Sequence, residues 1–183
     1  CHTTIDKASC ERSWVSLYDP AINEQVKQAR QEPTLVNLRV NMKRAMKSAD
    51  AFDIAMQEFL QLTPTVYPYP SDRMPPGDEA RRNDPAGFTC VHHFFTPRNL
   101  HVLSTLNFRL SNNKHFRSSL LFVLTSFLVK TGSKLHNIGL KNGSINLAGA
   151  VPNTLYMPGF FAERNIFTLA KKKLGDLSLV HSL

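Results

Sequence analysis

Apolar positions along this chain fall into helical stripes separated by polar segments marked by proline and glycine. Ser9 caps a short helix predicted over 9–18, with Trp14 and Leu17 on one face. The stretch 26–45 reads as two strands. Within it, Thr34 to Val40 alternates imperfectly, and Pro33 marks an edge or a strand start. Asp50 then caps a helix over 51–62. Phe52, Ala55, Met56, Phe59 and Leu60 recur there at helical spacing and predict a core stripe.

The segment 63–86 breaks the periodicity. Pro64, Pro68, Pro70, Pro75, Pro76 and Pro85, with Gly77, exclude regular structure over most of it. It also holds Tyr67, Tyr69 and Met74, which a free linker rarely needs. It reads as a long ordered loop laid on the domain surface. A short strand is expected over 88–95. Thr96-Pro97 is a helix start, a capping hydroxyl followed by proline at the first helical position. That helix runs to about residue 110 on Leu100, Leu103, Leu106 and Leu110. Arg98, His101, Thr105 and Arg109 share its other side. A second helix is expected over 113–130, burying Phe116, Leu120, Leu124, Phe127 and Leu128. A glycine-bearing loop with short strands covers 134–153. A brief extended piece follows at 154–157, and a last helix over 162–174 or beyond carries Ile166, Phe167, Leu169 and Leu174. Together these predict an α+β fold: a small antiparallel sheet packed by several helices, with long surface loops, in one domain of 183 residues.

Charge sharpens this picture. The net charge is +8, but it is unevenly spread. Residues 51–90 hold three basic and six acidic residues, whereas 91–183 hold eleven basic and two acidic ones. Between Asp84 and Glu163 no acidic residue occurs, while seven Lys/Arg and five His do. A long one-sign stretch suggests an anionic partner, and a polyphosphate backbone is the commonest. No apolar run reaches the length of a membrane span, since the longest, 120–129, is broken by Thr125 and Ser126. Three cysteines make no even framework, which fits a reducing cytoplasm better than a secreted scaffold. The chain begins at Cys1, and we read it as a piece of a longer protein.

Catalytic layouts are absent. There is no phosphate loop, no glycine-rich cofactor turn after a strand and no nucleophile elbow. Asp19-Pro20-Ala21 and Asp84-Pro85-Ala86 lack the second proline and the aromatic with which amino methyltransferases hold a flipped base. His92 and His93, adjacent on the expected strand, point to opposite faces and suit one metal poorly. Cys1 and Cys10, with His2, form only a thin zinc candidate, because the spacing is wrong and a fourth ligand is missing.

The run from Tyr69 through Asp72-Arg73-Met74-Pro75-Pro76-Gly77-Asp78, followed by Gly87 to Leu100 with His92-His93-Phe94-Phe95-Thr96-Pro97-Arg98, resembles the middle segment of bacterial and phage DNA methyltransferases. These modify adenine N6 or cytosine N4, and many carry a zinc ribbon. Glu11 to Trp14 with Tyr18 to Ala21 is similar to the stretch after that ribbon. Pro33 to Val40 is similar to the strand that follows it, and Gly149 to Phe167 to the return toward the catalytic domain. The resemblance implies a target-recognition region, as in restriction–modification systems, that binds double-stranded DNA. It implies a catalytic methyltransferase domain, in cis or in a complex, and S-adenosylmethionine as the parent enzyme's cofactor, with no cofactor in this chain. Cys1 resembles a cysteine of the last zinc knuckle, but Thr4 stands at its partner's position.

The residues expected to contact DNA follow from charge and placement. Arg98 and Asn99 sit in the first turn of a helix, where free N–H groups favour an anion. His92 and His93 face the same expected groove. His101, Arg109, Lys114 and Arg117 extend the basic side. Arg73, Arg81 and Arg82 on the proline-rich loop are candidates for base contacts, although Asp72, Asp78, Glu79 and Asp84 surround them. Lys134, His136 and Asn137 occupy the glycine-bearing loop as groove readers. Lys43, Arg44 and Lys47 read as a solvated strand edge, and Lys171 to Lys173 as complements to a helix C-terminus. Two other readings remain open: a freestanding module that binds nucleic acid or protein, and a metal-dependent nuclease using His92, His93 and loop carboxylates.

Overall fold

The structure is a computed structural model that describes residues 11–41, 43–141 and 144–181. It is an α+β fold. The chain divides into two compact units, Cys1–Met56 and Gln57–Leu183.

The first unit is built from β-ribbons. Strand β1 (Trp14–Asp19) pairs antiparallel with β2 (Glu24–Ala29), and β3 (Leu35–Val40) with β4 (Lys43–Ser48). These are separate two-stranded sheets, not parts of one sheet. The helix expected over 9–18 is therefore corrected to a strand over its described second half. Trp14, Val15 and Tyr18 are strand formers, and their pairing with β2 overrides a two-residue helical coincidence. Ser9 lies outside the described residues. Lys27 reinforces the pair, with its ammonium 5.2 Å from the Trp14 ring centre.

Helix α1 (Ala51–Leu62) starts where its cap predicts. The Asp50 carboxylate accepts from the N–H groups of Phe52 and Asp53, both at 3.1 Å, and Asp53 accepts from the N–H of Asp50 at 3.0 Å. This is a reciprocal capping box. The expected core stripe is corrected: no residue of α1 is buried, and Phe52 and Phe59 are 69% and 62% exposed.

The second unit has its core among three helices. α3 (Pro97–Ser111), α4 (Arg117–Leu128) and α5 (Ile166–His181) contribute Leu103, Val123, Leu124, Phe127, Ile166 and Leu169. Phe116 was expected inside, but it precedes the first turn of α4 and is exposed. A short helix α2 (Asp78–Arg81) interrupts the proline-rich segment. That segment is tied down, because Asn83 donates to the Leu155 carbonyl at 2.7 Å and Glu79 accepts from the Leu155 N–H at 3.2 Å. Strands β5 (Asn137–Lys141) and β6 (Ser144–Gly149) form the third antiparallel pair. In place of the strand expected over 88–95 there is a 3-10 turn, Val91–Phe94. His93 explains it: Nδ1 accepts from the N–H groups of Thr89 at 3.1 Å and Cys90 at 3.2 Å, closing the backbone into a turn.

Candidate nucleic-acid interface

The start of α3 is held from two sides. The Thr96 hydroxyl accepts from the Asn99 N–H at 3.3 Å, the N-cap bond its sequence predicts. The buried Asn99 side chain donates to the Gly132 carbonyl at 3.1 Å. Two residues on, the Lys134 N–H donates to the Phe94 carbonyl at 2.8 Å, and the Ala162 N–H donates to the His136 carbonyl at 2.9 Å. Residues 132–136 thus run between the α3 start and the segment leading to α5. A Cβ at Gly132 would crowd the Leu128 and Phe127 carbonyl oxygens at 3.0 and 3.2 Å, so a side chain there would push the end of α4 aside by a few tenths of an ångström.

This threading buries groups that sequence alone placed on the surface. Lys134 is only 7% exposed, and its ammonium lies 5.0 Å from the Phe88 ring centre. Burial pushes its pKa down to about 8, against the opposing pull of Glu163. His136 is 2% exposed, and its Nδ1 has no hydrogen-bond partner. Burial and the nearby Arg164 charge lower its pKa, so the ring is neutral at pH 7. Glu163 is also 3.4 Å from Arg98, whose side chain stays 56% exposed. One carboxylate is therefore shared between an exposed guanidinium and a buried ammonium.

Lys134, His136, His92 and His93, expected to line the groove, are all buried. Asn99 is buried too, so its amide serves Gly132 rather than a ligand. His92 and His93 are also not on opposite faces, since the turn brings their ring centres to 4.3 Å. Nδ1 of His93 accepts two N–H groups, which in a neutral ring leaves the proton on Nε2. His101 is partly buried and donates from Nε2 to the Leu60 carbonyl at 3.3 Å. Asn137 is half-buried at the start of β5, bridged to Phe161.

Arg73, Arg81 and Arg82 are engaged locally. Arg73 and Arg81 meet Asp84 at 3.0 and 3.5 Å, and Arg82 pairs with Glu79, which holds that carboxyl below its ordinary range. The acid-free stretch behaves differently. Arg109, at the end of α3, and Lys114 and Arg117, at the start of α4, are all exposed. Among the described residues none of the three has a carboxylate partner. Asn113 shapes this turn by accepting from the N–H groups of His115 and Phe116 at 3.1 and 2.8 Å. The positive end of the α4 dipole thus emerges between Lys114 and Arg117. Arg98 lies at the other end of α3 from Arg109, about 16 Å along the helix at about 1.5 Å per residue. The basic stretch therefore divides into two patches.

Two further groups were missed or underweighted. Arg164 stands beside His136, and only the fold brings it there. Arg39, which the sequence pattern does not single out, lies directly opposite Arg44 in the β3–β4 register. Cys1 and Cys10 lie outside the described residues. No family model, curated protein or solved structure matches this chain.

Proposed function

We propose that this chain is the DNA-gripping, target-recognition part of a methyltransferase that modifies adenine N6 or cytosine N4. The S-adenosylmethionine chemistry would belong to a catalytic domain in cis or in a complex, and the setting would be the cytoplasm. The observation that carries the reading is how the cations divide. The arginines of the acidic loop are paired, while Arg109, Lys114 and Arg117 are exposed without carboxylates. Unpaired surface cations cost self-repulsion unless an anion meets them, and DNA phosphates spaced along a backbone suit such a patch. The motif resemblance around Arg73 and His92 supplies the parent enzyme. No helix among the described residues is long and apolar enough to cross a membrane.

The test compares two triple variants by fluorescence anisotropy on a mixed-sequence duplex. Replacing Arg109, Lys114 and Arg117 by alanine weakens binding at least about tenfold. Replacing Arg73, Arg81 and Arg82 by alanine weakens it much less. Equal losses, or no loss from the first triple, would remove the basis of the proposal.

A further inference from the structure

We infer that the β3–β4 ribbon enters the major groove of duplex DNA and reads base edges with Arg39 and Arg44; the inference rests on the DNA-binding reading above. The register decides which side chains travel together. Leu35, Asn37 and Arg39 lie opposite Ser48, Met46 and Arg44, so these six share one face. Val36, Leu38 and Val40 lie opposite Lys47, Ala45 and Lys43 on the other. One face is thus polar and cationic toward the turn, and the other is apolar with lysines at its edge.

Charge selects the occupant. From Leu35 to Ser48 the ribbon has four Lys/Arg and no acidic residue. Lys47 is spoken for, 2.6 Å from Asp50 and 2.8 Å from Asp53. Arg39, Lys43 and Arg44 are exposed and have no carboxylate partner among the described residues. All three lie in the two cross-strand rows next to the turn, which Asn41 opens with a φ of 47°. Like charges directly opposite on a ribbon are destabilising. Arg39 facing Arg44 is therefore a cost to the free chain that an anionic, acceptor-rich partner removes. The β1–β2 ribbon of the same unit carries the reverse, with Asp19 opposite Glu24 at its turn. A basic tip is thus a property of this ribbon, not of ribbons in this unit.

Shape agrees with charge. An isolated two-stranded ribbon is marginal in water, and this one is exposed along nearly its whole length. The B-form major groove is about 12 Å wide and admits a two-stranded ribbon. Its guanine edges present paired acceptors that match the guanidinium fork. The A-form major groove of RNA is too narrow and deep for side chains to read.

The full chain is titrated against a mixed-sequence DNA duplex in the presence of methyl green, which occupies the major groove, or netropsin, which occupies the minor groove. Methyl green is expected to displace the wild-type chain and netropsin to leave it bound. Arg39→Gln with Arg44→Gln is expected to weaken binding at least about tenfold and to abolish the methyl green effect. Circular dichroism confirms that this variant keeps its fold; if it does not, Arg39→Lys with Arg44→Lys keeps the charge and is expected to lose discrimination among duplexes while retaining most affinity. If the wild-type chain binds duplex but the variants keep its affinity, discrimination and methyl green sensitivity, the ribbon inference is overturned and the DNA reading stands. Displacement by netropsin alone, or equal binding to a duplex RNA, also overturns it. A wild-type chain that binds no duplex at low salt overturns both.

Discussion

The ammonium of Lys134 sits 5.0 Å from the centre of the Phe88 ring, in a site where burial has pushed its pKa down to about 8. An unfolded lysine titrates near its ordinary value of 10.5. Between those two values the unfolded chain holds the extra proton, so stability rises with pH across that window. The contribution is full above 10.5 and lost as pH falls through 8. Lys134→Met is therefore expected to stabilise the fold at pH 7 by about 1–3 kcal/mol. The gain should shrink toward zero by the top of the window, which urea unfolding at a series of pH values measures.

His136 behaves as an acid sensor of stability. Its folded pKa lies below the ordinary 6.5 because the ring is buried and Arg164 is near. As pH falls through 6.5 the unfolded state takes up the proton first, and stability declines toward the folded pKa. His136→Phe is expected to flatten this decline between about pH 7 and pH 5. Thermal melts of both chains across that range check it.

Asn99 joins α3 to the chain that follows α4. Its amide is the hydrogen-bond donor to the Gly132 carbonyl. Asn99→Leu should cost about 1–3 kcal/mol, because it strands a buried acceptor in a site that had satisfied it. Denaturant unfolding should show a lower midpoint with an unchanged slope.

The helices were legible because their signals are local. Asp50 before α1 and Thr96-Pro97 before α3 announce themselves through one side chain and its nearest N–H groups. The α+β class followed from the same periodicities. The three separate ribbons were not legible, since strand pairing depends on partners that a one-dimensional pattern does not specify. The candidate site was read through charge, which counts residues and is blind to burial. It placed Lys134 and His136 on the surface because their loop is polar, whereas the Phe94 and Ala162 backbone bonds draw that loop inward. Charge alone does not single out Arg39, because its cross-strand row with Arg44 exists only once the register is known.

Glu163 holds Arg98 at 3.4 Å and competes with any phosphate for it. Glu163→Gln should strengthen duplex binding by about two- to fivefold at low salt. Arg98→Ala should weaken binding alike on all sequences, as a phosphate contact does. Parallel anisotropy titrations on several unrelated duplexes decide this. Loss of discrimination without loss of affinity would assign Arg98 to bases instead.

The central claim is that unpaired cations on this chain meet DNA phosphates, and the salt dependence of duplex binding tests it most directly. Affinity of the wild-type chain is measured on one mixed-sequence duplex between about 50 and 200 mM salt, the range over which counterion release dominates. The account predicts a log–log slope steeper than about −3, since each neutralised phosphate contributes about −0.9. It further predicts a shallower slope for the Arg109, Lys114 and Arg117 triple-alanine variant. A flat slope, or no binding to any duplex at the low-salt end, would contradict it.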